Sequence, residues 1–278
     1  MTEEEKRSLV GLAGDWHGNT RWAINVISVF ADLSINHVYQ LGDFGFWPGY
    51  DGAAYVSQIL SVCESRGVRL LIVPGNHEDY TQIEDPETAD GTVPPLQVLG
   101  EGEGWQVAVA PRGYRWTDGG RRFLALGGAP SIDFPNRRLG KDWWQEEMIR
   151  DSDLLRLHGG EEVDVMLAHD APDGGTAAVQ EIIDTPPHLS MWSDAGLAYA
   201  REGRLKMNAA VEMVNPRVFA HGHMHVKGER YDEELDRRYV SLGPDGQLWN
   251  IALLDLDTLK IHWPSAEAMQ SGQGVKFE

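Results

Sequence analysis

The sequence is poor in cysteine and in long apolar segments, and each shortage excludes a class of protein. Its single cysteine, Cys63, can form neither a disulfide within the chain nor a metal site built from several thiolates. A reducing compartment, the cytoplasm, is therefore expected. No apolar run approaches the roughly 18 residues that a membrane span needs, and the first residues lack the apolar core of a signal peptide. We expect a cytoplasmic protein without membrane contact.

Basic residues are also scarce. The 278 residues include 24 Lys and Arg against 43 Asp and Glu, which gives a formal charge of −19. A chain this acidic is not expected to hold duplex nucleic acid on an extended phosphate-neutralising surface. Any phosphate that it binds must meet a local positive centre. A hydrophobic content of 42% is typical of a globular protein with a sizeable core.

The first 75 residues alternate short apolar runs with helical spacings. The runs Ser8 to Ala13, His37 to Leu41 and Arg69 to Val73 are followed by glycine or proline, and helical patterns fill residues 21–33 and 53–66. This β-α-β-α-β order predicts parallel strands. The carboxyl ends of such strands form one rim, where ligands bind.

The rest of the chain has a less regular pattern. We expect a long surface segment over residues 81–104, short antiparallel strands within 105–126 and an irregular insertion over 127–144. Further helices are expected at residues 146–157, 188–200 and 204–213, and further strands at 163–167, 217–220, 226–231, 238–242, 248–254 and 259–262.

Five of the ten histidines lie where a predicted strand runs into a loop: His17, His77, His169, His223 and His225. Residues two apart on an extended chain point to the same side, so Asp15 with His17, and His223 with His225, can each reach toward one point. Imidazole, carboxylate and amide donors suit Mn, Fe, Zn or Ni better than a thiolate-seeking metal. Singly, such motifs are more often turns or buried structural histidines. Together they predict a metal site.

The motifs resemble, in order, those of the calcineurin-like metallophosphoesterases. The family pattern D-x-H, G-D, G-N-H-[DE], H and G-H-x-H is matched here by Asp15-Trp16-His17, Gly42-Asp43, Gly75-Asn76-His77-Glu78, His169 and Gly222-His223-Met224-His225. The resemblance covers about residues 9–227. It implies an α/β fold, a four-layer α/β/β/α sandwich of two mixed sheets with a dimetal site at the sheet edge, in a single domain over residues 1–278.

The resemblance also implies a role for each residue. The ligands divide into Asp15, His17 and His225 for a first metal ion and Asn76, His169 and His223 for a second, with Asp43 bridging both. His77 would protonate the leaving group. Two divalent ions, with Mn first and Fe, Zn or Ni as alternatives, bring +4 against the −2 of Asp15 and Asp43. The residual +2 can hold a hydroxide nucleophile and attract a phosphoester.

The second motif departs from the G-D-x-V-D-R-G pattern of the protein Ser/Thr phosphatases. Residues 42–49 read Gly-Asp-Phe-Gly-Phe-Trp-Pro-Gly and lack both the Asp that orients the catalytic histidine and the Arg that binds a phosphate dianion. The orienting role could pass to Glu78 or Asp79. Loss of the arginine favours a phosphodiester monoanion over a monoester dianion.

An insertion at about residues 128–147, expected near the active site, resembles a segment of bacterial and phage members of the superfamily. Within it, Arg137 or Arg138 could supply the missing phosphate contact, with ordinary surface exposure as an equal alternative. Trp16 and Trp47 lie in the motif loops and could stack on a nucleobase, although packing against the sheet is the commoner fate of any one tryptophan. His221 is expected to pack or to support the ligands.

The sequence therefore predicts a dinuclear-metal-dependent phosphodiesterase. Its substrates would be small phosphodiesters, such as 2′,3′-cyclic nucleotides or nucleic-acid ends, attacked by a metal-bound hydroxide. A phosphomonoesterase acting on proteins or nucleotides is one alternative, and a non-catalytic metal-binding scaffold is another. A repair-type DNA nuclease would need a basic groove, which the charge of −19 disfavours.

Overall fold

The computed structural model describes residues 8–88, 90–185, 189–265 and 275–278. Its strands are β1 (Leu9–Ala13), β2 (His37–Gln40), β3 (Arg69–Ile72), β4 (Gln97–Gly102), β5 (Trp105–Val109), β6 (Arg115–Asp118), β7 (Arg121–Leu126), β8 (Val165–Ala168), β9 (Val218–His221), β10 (Gly228–Asp232), β11 (Arg237–Ser241), β12 (Ile251–Asp255) and β13 (Ile261–His262). Its α-helices are α1 (Thr20–Asp32), α2 (Tyr50–Arg66), α3 (Asp151–Leu155), α4 (Ala177–Asp184) and α5 (Asp194–Val214). Short 3₁₀ helices lie at Tyr80–Gln82, Phe134–Asn136, Gln145–Glu147, Leu189–Met191 and Leu248–Asn250.

The strands form two mixed sheets. The first has the order β13-β12-β1-β2-β3-β5-β4, and the second has the order β10-β11-β9-β8-β7-β6. Neighbours are parallel from β1 through β2 and β3 to β5, and from β7 through β8 and β9 to β11. Antiparallel strands complete both edges of each sheet. The predicted β-α-β-α-β start is confirmed.

Alternation of side chains along these strands separates three apolar layers. Phe123 and Ala125 of β7 point between the two sheets and belong to the same buried cluster as Leu12 of β1. Leu124 points to the opposite face and shares a cluster with Met207 of α5. The first sheet packs its outer face against α1 and α2. The order helix, sheet, sheet, helix is the expected four-layer sandwich.

Helix α1 shows how the local sequence places a motif. Asn19 caps the helix, because its side chain accepts a hydrogen bond from the backbone N–H of Trp22 at 3.2 Å. Ala23, Ile27 and Phe30 then recur at helical spacing and are buried against the first sheet. The loop between β1 and α1, which carries the first motif, is therefore held at the sheet edge.

Residues 81–104 lie mostly at the surface, as expected, but residues 97–102 form the edge strand β4, which the sequence did not predict. Gly100 and Gly102 obscure this strand in the sequence, since glycine is uncommon inside strands. Here the Trp105 indole lies against both glycines; a Cβ on Gly102 would collide with it, and a Cβ on Gly100 would collide with Leu60. Strand β5 joins β3 and β4 in the first sheet, so the expected antiparallel pairing within residues 105–126 is that of β6 with β7.

The helix predicted at residues 146–157 is shorter than expected. Arg112 donates hydrogen bonds to the backbone carbonyls of Glu146 and Glu147 at 2.6 and 3.3 Å. Those carbonyls point at the guanidinium, and α3 begins only at Asp151.

The two helices predicted after residue 188 are one helix, α5, and α4 precedes it. From the sequence, Gly203 suggests that a helix ends there. In the structure the helix continues, and the absence of a side chain at Gly203 leaves room for Pro130 to pack against α5. His188, where the first of these helices was expected to begin, lies outside the described residues. In the described part of the chain, no helix is both long and apolar enough to cross a membrane.

Candidate metal centre

Four predicted ligands converge beyond the ends of β1, β2 and β9. The ligand atoms of Asp15, His17, Asp43 and His225 all lie within 4.8 Å of one another. Both carboxylates are buried, and His225 Nε2 lies 2.9 Å from Asp15 Oδ2. These residues are the set assigned to the first ion, together with the proposed bridge.

A second group lies on the other side of Asp43. Asp43 Oδ2 is 3.5 Å from His17 Nε2, and Asp43 Oδ1 is 3.4 Å from His169 Nε2. His169 Nε2 is also 3.0 Å from Asn76 Oδ1. The rings of His169 and His223 are 5.1 Å apart between centroids. The two carboxylate oxygens of Asp43 thus face two groups of ligands, as a bridging carboxylate requires.

The ligand loops contain unusual backbone conformations. His17, Asp43, His223 and His225 all have positive φ angles, of 46°, 49°, 62° and 55°. Residues with a Cβ rarely adopt this left-handed region. Such strain persists where the surrounding fold imposes it, and it is concentrated at functional sites.

The motif glycines leave room for the ligands. A Cβ on Gly222 would collide with the carboxylate of Asp15. A Cβ on Gly42, whose φ is 98°, would collide with the imidazole of His169. These positions need glycine because a neighbouring ligand occupies the space that a side chain would take.

Hydrogen bonds behind the ligands determine which imidazole nitrogen faces the centre. His17 Nδ1 lies 2.9 Å from Asp245 Oδ1, and His169 Nδ1 lies 2.7 Å from the carbonyl oxygen of Leu41. Each contact leaves Nε2 available to a metal. Asp245 also accepts a hydrogen bond from Asn19 at 2.6 Å. Sequence reasoning missed Asp245, because it lies beyond the last motif in a loop whose own sequence indicates only a turn.

This donor set fits divalent metal ions. Asp15 Oδ2 is buried and accepts no hydrogen bond from the described residues, although His225 Nε2 lies beside it. Burial opposes protonation of His17 and His169, but Asp43 outweighs it and raises the pKa of His17 to about 9 and that of His169 to about 10. A cluster that binds protons this strongly attracts a divalent cation, which displaces them. Carboxylate, imidazole and amide donors suit Mn, Fe, Zn or Ni.

His77 and Arg137 lie beside the second group. The backbone N–H of His77 donates to Asp43 Oδ1 at 2.8 Å. Two guanidinium nitrogens of Arg137 each lie 3.2 Å from a ring nitrogen of His77, and Asp133 holds the same guanidinium at 2.7 Å. Burial, assisted by the charge of Arg137, lowers the pKa of His77.

A cavity of about 390 Å³ opens next to the centre. Its polar end is lined by Asp43, Asn76, His77, Arg137, His223 and His225. Apolar side chains contribute much of the remaining lining, from α4, α5 and nearby loops and from between His223 and His225: Ile182, Ile183, Trp192, Leu197, Ala200 and Met224. Arg204 of α5 also lines the cavity and pairs with Asp173 at 2.9 Å. A bound molecule could therefore contact the metal ligands and an apolar surface at once.

Three other predicted contact residues lie elsewhere. Arg138 is exposed and pairs with Asp142 at 2.7 Å, away from the cavity lining. Trp16 is fully buried against Phe44, so its ring offers no surface to a nucleobase. Trp47 is 41% exposed and its ring lies against Gly18, next to His17, but it is not among the residues that line the cavity. Of the four residues predicted to contact substrate, Arg137 is the one that lines the cavity.

The expectation that Glu78 or Asp79 orients His77 was wrong. Both Glu78 carboxylate oxygens accept hydrogen bonds from backbone N–H groups of residues 44–46, at 2.6 to 3.1 Å. Asp79 instead accepts from Thr81. Glu78 therefore holds the loop that follows Asp43. His221 is fully buried behind the ligands, where burial lowers its pKa to about 4.

The sequence profile of the calcineurin-like phosphoesterases matches residues 9–227. The chain belongs to this family. Family membership and the clustered Asp and His donors together support a metal-dependent phosphoester hydrolase with a divalent metal site. A comparison with curated proteins finds no match.

Solved structures of similar fold are distant in sequence. One aligns with a TM-score of 0.55 at 14% identity and covers 91% of this chain and 97% of its own. The protein TT1561 of Thermus thermophilus aligns with a TM-score of 0.50 at 13% identity, covering 91% and 96%. A dimetal phosphatase from Danio rerio aligns with a TM-score of 0.49 at 13% identity, covering 90% and 93%. At these identities the likeness of the first two supports the fold alone.

Proposed function

We propose that this calcineurin-like phosphoesterase is a dinuclear-metal-dependent phosphodiesterase for small phosphodiesters, with manganese as its resident metal. The observation that carries the proposal is the cavity, which joins the polar ligands to an apolar wall. A diester has a second organic substituent that must be accommodated, and the apolar wall provides a surface for it. A nucleoside substituent suits such a wall, since a nucleobase has apolar faces. We therefore retain 2′,3′-cyclic nucleotides and nucleic-acid ends as candidate substrates.

The residues divide the chemistry between them. Asp15, His17, His225, Asn76, His169 and His223 would hold two ions, with Asp43 between them. When bound, the ions supply positive charge at the phosphoryl group and activate the attacking water. Arg137 would hold a phosphoryl oxygen, because its guanidinium faces the cavity beside His77. His77 would donate a proton to the departing oxygen.

A phosphomonoesterase is the second candidate, and Arg137 is the observation that favours it. A monoester dianion needs a cation beyond the metals, and the second motif lacks the arginine that serves this purpose in the protein phosphatases. Arg137 reaches the same cavity from the insertion. However, Asp133 pairs with it at 2.7 Å and partly offsets its charge. We therefore place the diester first.

Rates on bis(p-nitrophenyl) phosphate and p-nitrophenyl phosphate at saturating Mn²⁺ test the choice. We expect a higher kcat/KM for the diester and no turnover of either ester after chelation. Asp43→Ala protein, purified in the same way, reports any contaminating phosphatase. A higher kcat/KM for the monoester would establish the second candidate in place of the first. Wild-type protein that binds Mn²⁺ but hydrolyses neither ester would favour a metal-binding scaffold.

A further inference from the structure

The insertion over residues 128–147 reaches the metal centre through a chain of buried hydrogen bonds. Asn76 Nδ2 donates to Ser131 Oγ at 2.9 Å, and Ser131 Oγ donates to Glu147 Oε2 at 2.8 Å. Glu147 Oε1 also accepts from the backbone N–H of Ser131 at 2.6 Å and from Trp143 Nε1 at 2.9 Å. Asn76, Ser131 and Glu147 are all at least 97% buried. Water therefore cannot substitute for a missing partner without rearrangement.

The direction of each hydrogen bond along this chain follows from how many protons each group has to donate. The Ser131 N–H, the Ser131 hydroxyl and Trp143 Nε1 converge on the Glu147 carboxylate, and Tyr199 contacts it as well. Burial raises the pKa of Glu147 to about 7, so above this pH the ionised carboxylate is the acceptor of these hydrogen bonds. A serine hydroxyl has one proton, and Ser131 donates it to Glu147. Its oxygen can then only accept from Asn76, which requires the amide NH₂ to face Ser131.

The consequence for Asn76 is a fixed orientation of its amide. With Nδ2 on Ser131, Oδ1 faces the centre, 3.0 Å from His169 Nε2. A flipped amide would place Oδ1 against a hydroxyl oxygen whose proton is already used, and would present NH₂ to the centre. An amide nitrogen with two protons has no lone pair to offer a metal, whereas the oxygen has two.

We propose that Ser131 and Glu147 are positioning residues that select the Oδ1 face of Asn76 for the second metal ion. The inference rests on the dinuclear part of the proposed function and is independent of the choice between diester and monoester. It also gives the insertion a structural role, because residues near its two ends together orient a metal ligand.

A calorimetric titration of metal-stripped protein with Mn²⁺ alone tests the proposal. We expect two ions for the wild type, and for Ser131→Ala a weakening of one of them by about 10- to 100-fold, the usual effect of losing a hydrogen-bond partner behind a ligand. Ser131→Thr retains the hydroxyl and should restore the affinity. Ser241→Ala removes a buried hydroxyl of β11 whose hydrogen-bond partner is Thr176, and should leave both ions unchanged.

Glu147→Gln provides a second variant if Ser131→Ala does not fold. A glutamine can donate to Ser131 Oγ and free the hydroxyl proton, so the amide of Asn76 loses its single orientation and the same ion should weaken. Two ions bound with wild-type affinity by either folded variant would overturn the positioning role. Fewer than two ions in the wild type would instead contradict the dinuclear centre itself.

Discussion

At the scale of single residues, His77 can be separated from the ligands around it. Its contact with Asp43, the proposed bridge, is made by the backbone N–H, which any residue at this position other than proline retains. His77→Ala should therefore leave the metal content near that of the wild type. Turnover of esters with poor leaving groups should fall about 10²- to 10⁴-fold, because these need a proton from a general acid.

Leaving-group dependence is the measurement that checks this role. A p-nitrophenolate leaves without protonation, so His77→Ala should slow p-nitrophenyl esters much less than alkyl esters. Metal analysis of the same preparation controls for loss of the ions. Equal losses on both kinds of ester would assign His77 to binding or to structure.

Arg137 and Arg138 form a natural matched pair. Arg137 lines the cavity, whereas its neighbour Arg138 is exposed and paired with Asp142. Arg137→Ala should lower kcat/KM by about 10- to 100-fold, the range of a lost hydrogen bond to a charged group, and by more for a monoester dianion than for a diester. Arg138→Ala should change neither substrate by more than about twofold. Similar losses in both variants would remove Arg137 from the substrate site.

At the scale of elements, the glycine that follows β2 is constrained by its neighbour as well as by its own backbone. Gly42 and Gly104 both have positive φ, of 98° and 80°, but only at Gly42 does the space for a Cβ contain a ligand, His169. Gly104→Ala should lower the free energy of unfolding by about 1–2 kcal/mol, the cost of the left-handed backbone alone. Gly42→Ala should cost more and should also weaken metal binding.

Urea unfolding of the metal-free proteins separates the two contributions, and a Mn²⁺ titration of the folded variants completes the comparison. If Gly42→Ala lost no more stability than Gly104→Ala and bound metal normally, the close approach of His169 to this turn would have no energetic consequence.

The elements near the motifs could be predicted from the sequence because local signals agree there. Strands β1, β2 and β3 are short apolar runs followed by glycine or proline. Asn19, a residue type that favours helix N-caps, directly precedes α1. Strand β4 and the unbroken α5 could not be predicted, since in both cases a glycine has a packing purpose that its sequence neighbours do not reveal.

The candidate site likewise contains residues that the sequence predicts and residues that it does not. Its ligands stand in motifs, whereas Asp245 and the Ser131 and Glu147 pair act through contacts between segments that are distant in the sequence. For Trp16 the sequence left stacking and packing open for a related reason, and the structure shows a buried ring. A tryptophan beside a ligand can face either the cavity or the core, and the sequence does not distinguish the two directions.

At the scale of the whole molecule, the proposed metal centre lies where the two sheets meet. Asp15, His17, Asp43 and Asn76 follow strands of the first sheet, whereas His169, His223 and His225 follow strands of the second. Each proposed ion therefore takes ligands from both sheets. Removing the ions should weaken the contact between sheets as well as abolish activity.

Thermal unfolding with and without Mn²⁺ checks this coupling. Binding to the folded state alone stabilises it by about 2.7 kcal/mol for each site when free metal is 100 times its Kd. The wild type should therefore unfold at a higher temperature in Mn²⁺ than in a chelator. Asp43→Ala, which lacks the shared ligand, should lose most of this difference. If Mn²⁺ raised the unfolding temperature of Asp43→Ala by as much as that of the wild type, the bridging role of Asp43 would be contradicted.

The position of β1 has a consequence during synthesis of the chain. It lies inside the first sheet, between β2 and β12, and β12 is formed by residues 251–255. At about 5 to 20 residues per second, β12 follows β1 by on the order of 10 to 50 seconds. His225 arrives almost as late, so the first ion cannot gain its full set of ligands earlier. A nascent chain thus has one unpaired edge of β1 until residues 251–255 leave the ribosome, and the proposed metal site lacks His225 for almost as long.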